Sequence, residues 1–414
     1  MKKKRVLLKV FLAIALGAIA GLVTGKDAEI FGVPWIRVFN LLGQLFLNAL
    51  TIVVVPLVSS SIITGTARVG ADKEFSKLGR RTFFYFILTS LIAVLTGLVM
   101  TLLVGPGDSI DYKFVHELSS TTEFTDFGQN NELGLFDKFE NILFRLVPSN
   151  ILSVAAEGQL LGLILFSLLF GYFIPRVDSR LSETMQRFWD GVFQIMLRMT
   201  HLVMEFLPIG VFGLMAKVTA TTGLGTIKPV SIFFLTVMAG LGIHMFVTLS
   251  FLLKFGADVS PWKHFRAVFP AVVTAYSTSS SAATLPITIE CMEERAGLPN
   301  SLCSFILPLG STINLAGTAL YVTSAVIFIS QAYNLEMSLV TLAPIIILGL
   351  FTSLGMVAGI PSGSIVSIVV VLQSVGLPAD GIVLILAVER ILDMFRTSVS
   401  VYNNTCCASL VHQW

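Results

Sequence analysis

Apolar runs of about 20 residues recur along almost the whole chain, and this pattern limits the fold more than any other feature of the sequence. A helix needs about 20 apolar residues to cross the roughly 30 Å hydrocarbon core of a bilayer. Of the 414 residues, 55% are hydrophobic and 13% are charged, a composition that water-soluble domains do not have. The sequence therefore predicts a polytopic membrane protein. Its first six spans are expected at residues 6–25, 36–65, 81–105, 149–175, 190–219 and 230–255.

The charges between these spans predict the orientation of the protein in the membrane. Basic residues tend to stay on the cytoplasmic side in short loops. The chain starts with MKKKR, and residues 68–81 contain five basic and two acidic residues. Residues 106–140 instead contain eight acidic residues and two lysines, as an exported segment would. We therefore predict a cytoplasmic N-terminus and a long external loop at residues 106–146.

The last 155 residues differ because their apolar runs are broken in the middle by Gly, Ser and Pro. Residues 267–290 form two short apolar halves around a serine run, and residues 342–376 form two halves around GIPSGS. Non-helical backbone at membrane depth is tolerated only where protein or a wet cavity surrounds it. Both segments are therefore predicted to be re-entrant hairpins, each followed by a helix, and such paired broken segments point to a transporter binding site.

The final apolar helix carries a polar stripe. At spacings of i, i+3, i+4, i+7 and i+11, one face of a helix holds Asp393, Arg396, Thr397, Ser400 and Asn404. A charge inside the membrane is expensive and is by default a functional hypothesis. The Arg396 guanidinium can grip a carboxylate and Asp393 can accept from an ammonium group, which together suit an acidic amino acid. The alternative is that the two side chains only neutralise each other.

A second break interrupts the preceding helix at residues 314–318, NLAGT. Such a break frees backbone carbonyls, which coordinate cations in membrane carriers. The alternative is that Gly317 is only a close-packing residue between helices.

These motifs together resemble those of the dicarboxylate and amino acid:cation symporter family, which includes the excitatory amino acid transporters. The resemblance is carried by NLAGTALY, the serine run before ATLPITIE, the GIP hairpin tip, SVGLP at residues 374–378 and the D-x-x-R-T helix, all in the family order. It extends upstream through VPSN at residues 147–150 and PIGVF at residues 208–212.

The resemblance implies an all-α membrane protein with eight transmembrane helices and two re-entrant hairpins per protomer. It also implies a homotrimer in the cell membrane, cytoplasmic termini, and a transport domain that slides against a scaffold like an elevator. The scaffold would comprise residues 1–80 (helices 1 and 2) and 147–228 (helices 4 and 5). The transport domain would comprise residues 81–105 (helix 3), 229–256 (helix 6), 257–298 (hairpin 1), 299–335 (helix 7), 336–379 (hairpin 2, the external gate) and 380–414 (helix 8).

The resemblance also implies a substrate cage for an acidic amino acid. Arg396 would hold the side-chain carboxylate of the substrate and Asp393 its amino group. The remaining positions implied are Thr397, Ser400, Thr318, Ser280, Ser281 and Gly363. Aspartate or glutamate is the expected cargo, and aspartate is slightly favoured because of its size. Three positions depart from the family pattern: Ser400 stands where asparagine is usual, and Ser279 and Met394 stand where a second arginine occurs.

The sodium sites of the family are degenerate in this chain. Sodium-coupled relatives carry NMDGT, and the Met and Asp positions are Leu315 and Ala316 here. A second family aspartate corresponds to Asn404. Hard cations need oxygen ligands and a balancing charge, which alanine does not provide. The other family cation-site positions are Asn314, Thr89, Ser90 and Tyr85, which retain polar groups.

The expected mode of transport is therefore weakly coupled to sodium or independent of it, and is driven by protons or runs as uniport or exchange. Vertebrate relatives carry a proton on a glutamate where this chain has Val322. Glu389, one turn before Asp393, is a candidate carrier, although a structural role is the favoured interpretation of it. No cofactor and no metal site are expected, since the cysteines and histidines have no ligand spacing.

Other functions remain open from the sequence. A sodium-coupled symporter that uses the residual sites, a C4-dicarboxylate carrier and an anion-conducting channel are the alternatives. An enzyme is not expected, because no Ser-His or metal-ligand arrangement occurs at helical spacing. The expected partners are the lipid bilayer, a small acidic amino acid and two further copies of the chain, with no nucleic acid.

Overall fold

The structure is a computed structural model of the chain. It describes residues 2–25, 28–30, 32–71, 76–108, 110, 144, 147–156, 160–222, 227–335, 337–351 and 364–413. Gly363, the hairpin tip around residues 353–361 and most of the loop expected at residues 106–146 lie outside the described residues.

The first half of the chain is helical apart from one short antiparallel pair of strands among the described residues, in which β1 (Glu29–Ile30) pairs with β2 (Val33–Pro34). The helices are α1 (Lys2–Thr24), α2 (Trp35–Ala71), α3 (Ser76–Val104), α4 (Ile151–Ala156), α5 (Leu160–Phe173), α6 (Ser179–Glu205) and α7 (Leu207–Thr222). The single span expected at residues 190–219 is wrong, because a turn at Phe206 divides α6 from α7. Pro208 lies in the first turn of α7, where its fixed φ favours a helix start and its missing N–H costs nothing.

The second half consists of helices interrupted by short breaks. The helices are α8 (Ile227–Ile243), α9 (Leu249–Gly256), α10 (Pro261–Thr278), α11 (Ser281–Glu290), α12 (Asn300–Ile313), α13 (Ala316–Ala332), α14 (Leu339–Phe351), α15 (Ser364–Ser374) and α16 (Leu386–His412). Wider π-helical turns join α8 to α9 (His244–Thr248) and follow α11 (Cys291–Arg295), and a 3-10 turn (Ala379–Leu384) precedes α16.

The helices pack in two groups. In the peripheral group, α1 and α2 pack on α7, and α2 also packs on α5 and α6. In the core group, α3 packs on α8, α13 and α16, and α16 also contacts α10, α12 and α13. A smaller contact joins the groups, where α15 meets α2 and α5. Helix α16, which carries the predicted polar stripe, is therefore at the centre of the core group.

Close helix packing in the peripheral group depends on a small residue. A methyl group at Gly213 of α7 would lie 2.6 Å from the carbonyl oxygen of Phe39 and 2.8 Å from the side chain of Leu42 on α2. Small residues let helix backbones approach in this way in membranes, where packing rather than hydrophobic burial drives association.

The serine run of the first hairpin separates two helices through identifiable local chemistry. Ser279 ends α10 in the left-handed conformation with φ of 50°, which is uncommon for a residue other than glycine. Ser280 is extended, and its side-chain oxygen accepts from the Ala283 N–H at 3.3 Å as the N-cap of α11. The two residues turn the chain back, so α10 and α11 pack on one another.

The NLAGT motif also interrupts a helix. Asn314 and Leu315 have non-helical backbone angles between α12 and α13, and the helix restarts at Ala316. The Leu315 carbonyl accepts from the N–H groups of Thr318 and Ala319. Asn314 is fully buried, so its side chain must find partners inside the protein.

Three helical segments of the described residues are long and apolar enough to cross a membrane: Leu78–Val104, Lys228–Gly256 and Asn300–Ala332. Large apolar side chains are exposed on many other helices, including Leu41 on α2, Phe188 on α6 and Phe255 on α9. Such surface is suited to lipid rather than water.

Candidate functional site

Helix α16 brings the predicted polar stripe into the protein interior. The helix is continuous from Leu386 to His412, and Asp393, Arg396, Ser400 and Asn404 are each at most 3% exposed. Because charges at such depth are costly without partners, their hydrogen bonds determine what the stripe can do.

Four ionisable side chains on this helix form one buried charged cluster, which we define as Glu389, Arg390, Asp393 and Arg396. Arg396 donates through Nη2 and Nε to Asp393 Oδ1, with the Nε distance at 3.1 Å. Arg390 Nη1 donates to Asp393 Oδ2 at 2.8 Å. Arg396 Nη2 also lies 3.4 Å from Glu389 Oε1, which accepts from the Ser364 hydroxyl at 2.6 Å.

The charged cluster has polar atoms that its own members do not satisfy. Arg396 Nη1, Arg390 Nε and Glu389 Oε2 are buried and have no hydrogen-bond partner among the described residues. The ring of Tyr321 on α13 lies 5.1 Å from the Arg396 guanidinium carbon. Buried donors and acceptors are normally paired, so these atoms remain available to polar groups beyond the described residues, such as those of a ligand.

Ser400 and Thr397 are used within the protein. The Ser400 hydroxyl accepts from the Gly317 N–H at 3.1 Å, which joins α16 to the start of α13 beside Thr318. The Thr397 hydroxyl donates to the Asp393 carbonyl of its own helix at 2.7 Å. A methyl group at Gly317 would collide with the carbonyl of Arg396, so glycine is required for this close approach.

The first hairpin reaches α16 from another side. Ser398 on α16 donates to the Val272 carbonyl of α10 at 3.2 Å, and Tyr276 packs edge-on against Phe395. Ser281 is buried, and the hydrogen bonds of Ser280 run to Thr278, Ala283 and Thr284 within the hairpin. The structure thus places both serines at the break between α10 and α11.

Four of the five predicted polar cation-site positions, together with Asn403, form a second buried group. We define this amide cluster as Thr89, Ser90, Asn314, Asn403 and Asn404. Asn314 donates to the Asn404 amide oxygen at 2.8 Å, and Ser90 donates to the Asn314 amide oxygen at 3.0 Å. Asn403 donates to the Thr89 hydroxyl at 3.1 Å. All five side chains are neutral.

The Thr89 hydroxyl in turn donates to the Tyr85 carbonyl at 2.8 Å, and it lies 3.6 Å from Cys407 Sγ. Leu315 and Ala316 are also buried, and neither brings a polar side chain. The amide cluster therefore offers neutral oxygens without a carboxylate to balance a cation.

The sequence interpretation missed two members of these clusters, Arg390 and Asn403, and the contact of Ser364 with Glu389. Arg390 had a visible signal, because it is three residues before Asp393 and inside the same helix. Arg390 supplies a second buried guanidinium, at a different position from the second arginine of the family pattern, where this chain has Ser279 and Met394. No sequence signal joined Ser364 to Glu389, since only the packing of α15 against α16 brings them together.

The model of the sodium:dicarboxylate symporter family matches residues 6–414. The chain belongs to this family. Among similar proteins, the proton/glutamate-aspartate symporter of Escherichia coli is 32% identical over 91% of this chain and 86% of its own length.

Two further relatives match almost the whole chain. The proton/sodium-glutamate symport protein of Geobacillus stearothermophilus is 31% identical over 100% of this chain and 95% of its own length. The excitatory amino acid transporter 1 of Ambystoma tigrinum is 30% identical over 99% of this chain and 83% of its own length. The resemblance seen in the motifs is thus confirmed, and this symporter-family member is a membrane protein.

Proposed function

We propose that the protein is a secondary active carrier of acidic amino acids, aspartate or glutamate, with weak or no sodium coupling. The observation that carries the proposal is the Arg396 guanidinium, which is buried beside Asp393 and keeps one nitrogen unpaired among the described residues. A planar guanidinium can bind a carboxylate through two parallel hydrogen bonds, whereas the Asp393 carboxylate can accept from an ammonium group.

A purely structural ion pair is the competing explanation of Arg396 and Asp393. Two partners would then suffice, and a buried pair is stable only when its remaining hydrogen bonds are satisfied. The charged cluster instead contains two guanidiniums and two carboxylates, with three of its atoms unpaired among the described residues. The additional charged groups and the unpaired atoms favour a ligand that carries both a positive and a negative charge.

The weak sodium coupling is supported by the amide cluster. The expected carboxylates at residues 316 and 404 are replaced by an alanine and by Asn404, and the Asn404 oxygen accepts from Asn314. A sodium ion would have to share an oxygen that already accepts a hydrogen bond, and it would receive no charge compensation there. Protons are the proposed coupling ion, and some relatives are named as proton symporters.

An elevator mechanism is supported by the two packing groups. The core group contains α3, α8, α12, α13 and α16 together with α10 of the first proposed hairpin, and α14 and α15 of the second proposed hairpin pack on α13. The peripheral group corresponds to the proposed scaffold. Movement between the groups would leave the charged cluster intact, because its members lie on α16 alone. The trimer, the cytoplasmic termini and the location in the cell membrane are proposed by family resemblance.

The test is transport by the purified protein in liposomes. Aspartate uptake is measured with external sodium, with sodium replaced by choline, and with an imposed inward proton gradient. We expect similar uptake in sodium and choline and a rise with the proton gradient. Steep sodium dependence would refute the sodium part of the proposal, and absence of aspartate uptake in all conditions would refute the carrier itself.

Two further arms separate the alternative functions. Succinate has no ammonium group for Asp393, so it should compete poorly with aspartate; strong competition would favour a dicarboxylate carrier. Counterflow of labelled aspartate against unlabelled aspartate distinguishes a carrier from a channel, because a channel has no loaded state that exchanges.

A further inference from the structure

Glu389 is more closely involved in the charged cluster than a structural helix residue needs to be. Its Oε1 atom accepts from Ser364 at 2.6 Å and lies 3.4 Å from Arg396 Nη2, while Oε2 is buried without a partner among the described residues. The side chain is 4% exposed. Arg396 is therefore its neighbouring cation and is also the proposed ligand of the substrate carboxylate.

The charges of the cluster cancel in the substrate-free protein. Arg390 and Arg396 contribute two positive charges, and Glu389 and Asp393 contribute two negative charges. An acidic amino acid adds two carboxylates and one ammonium group, so the loaded cluster would have an excess negative charge. A buried excess charge in a membrane is strongly unfavourable.

We propose that Glu389 is the coupling proton site: it takes up one proton when the substrate carboxylate displaces it from Arg396. This inference rests on the proposed function of acidic amino acid transport. The proton binds a carboxylate oxygen of Glu389 from the aqueous side on which the substrate enters, and it leaves after release on the other side. Arg396 then pairs with Glu389 again.

The other groups around Glu389 do not offer a simpler site. Its own helix contributes Arg390, Asp393 and Arg396, α13 contributes Tyr321, and α15 contributes the Ser364 hydroxyl. Asp393 keeps Arg390 as a partner when Arg396 turns to the substrate. Residues 352–363 contain no ionisable side chain in the sequence. Glu389 is thus the carboxylate that loses its cation.

The contact with Ser364 links the proton to the proposed gate. Ser364 is the first residue of α15, directly after the tip of the second hairpin. Its hydroxyl donates to the ionised Glu389 in the substrate-free protein and can accept once Glu389 is protonated. The cluster is neutral both without cargo and with aspartate plus one proton, and these two forms are the ones that cross the membrane.

The experiment measures proton uptake on binding. Aspartate is added at matched pH to the purified protein in a weakly buffered, sodium-free solution. An indicator dye reports the uptake of protons, and calorimetry reports the binding of aspartate. At any pH at which Glu389 is ionised before aspartate binds, the wild-type protein should take up about one proton per aspartate bound. Glu389→Gln should bind aspartate without proton uptake, whereas Glu205→Gln, an exposed control, should behave as wild type.

Transport gives a second readout in the same variants. In Glu389→Gln the loaded cluster is neutral but the substrate-free cluster keeps an excess positive charge. Exchange of internal for external aspartate should therefore persist, while net uptake driven by a proton gradient should fall to background. Unchanged proton uptake in this variant would overturn the inference. Failure of wild type to bind aspartate would instead refute the proposed function.

A third measurement does not depend on the glutamine variant folding. Infrared difference spectra of wild type should gain a protonated-carboxyl band when aspartate binds, and Glu389→Asp should shift that band. A band that is absent, or present but unmoved, overturns the assignment to Glu389.

Discussion

The charged cluster and the amide cluster occupy the same core group, yet they handle buried polarity in opposite ways. The charged cluster has four ionisable groups and leaves several atoms unpaired among the described residues. The amide cluster replaces charge with neutral donors and acceptors, and Ser90, Asn314 and Asn404 form a chain of hydrogen bonds. Under the proposed function, binding of a charged substrate and binding of a charged coupling ion would be separable in one fold.

The largest expected effect is from removing one of the two cations of the charged cluster. Arg396→Ala removes the proposed partner of the substrate carboxylate, and truncating one partner of a buried, hydrogen-bonded charge pair costs about 2–5 kcal/mol of binding free energy. Aspartate affinity should therefore fall by about 30-fold or more, since each 1.4 kcal/mol is a factor of ten. Calorimetry measures the change, and Arg187→Ala, in an exposed ion pair with Glu183, is the control. Retained affinity would remove Arg396 from the substrate site.

The second-largest effect is expected from adding carboxylates at and beside the amide cluster, which tests whether it fails to bind sodium because it has no negative charge. Ala316→Asp combined with Asn404→Asp should create sodium-dependent stability, because an ion that binds only the folded state stabilises it by about 2.7 kcal/mol at 100 times its Kd. The measurement is Tm in sodium against choline. Ala316→Asn, which adds similar volume without charge, should show no sodium effect. Equal Tm values for the double variant in both salts would contradict this explanation.

A smaller effect is expected at the contact between α13 and α16. Gly317→Ala should destabilise the protein by about 1–3 kcal/mol through overpacking against Arg396, and it should lower Tm and aspartate affinity together. Gly191→Ala is the matched control, because nothing lies within 4 Å of a methyl group there. A wild-type Tm for Gly317→Ala would show that α13 and α16 are less closely packed.

The smallest effect should come from Ser90. Ser90→Ala removes one neutral hydrogen bond to Asn314, which is worth about 1 kcal/mol of stability. Aspartate affinity should stay within about threefold of wild type, since distant sites act nearly additively. A larger loss of affinity would mean that the two clusters are coupled.

Much of the fold and of the charged cluster could be predicted from the sequence. Hydropathy and the motifs indicated a membrane protein, the serine break and the NLAGT break, because apolar runs and their interruptions are local properties of the chain. The stripe of Asp393 and Arg396 followed from helical periodicity alone. The division of residues 190–219 at Phe206 was missed because both flanking segments carry apolar residues.

The sequence by itself determined which charges lie within apolar segments, because that is a local property of the chain. Only the tertiary structure decided their partners. Ser364 and Glu389, whose side chains are hydrogen-bonded, are 25 positions apart in the sequence, and Asn314 and Asn404 are 90 positions apart. Such pairs depend on how helices cross, which local residue patterns do not specify, and they decide whether a buried polar group is satisfied or available to a ligand.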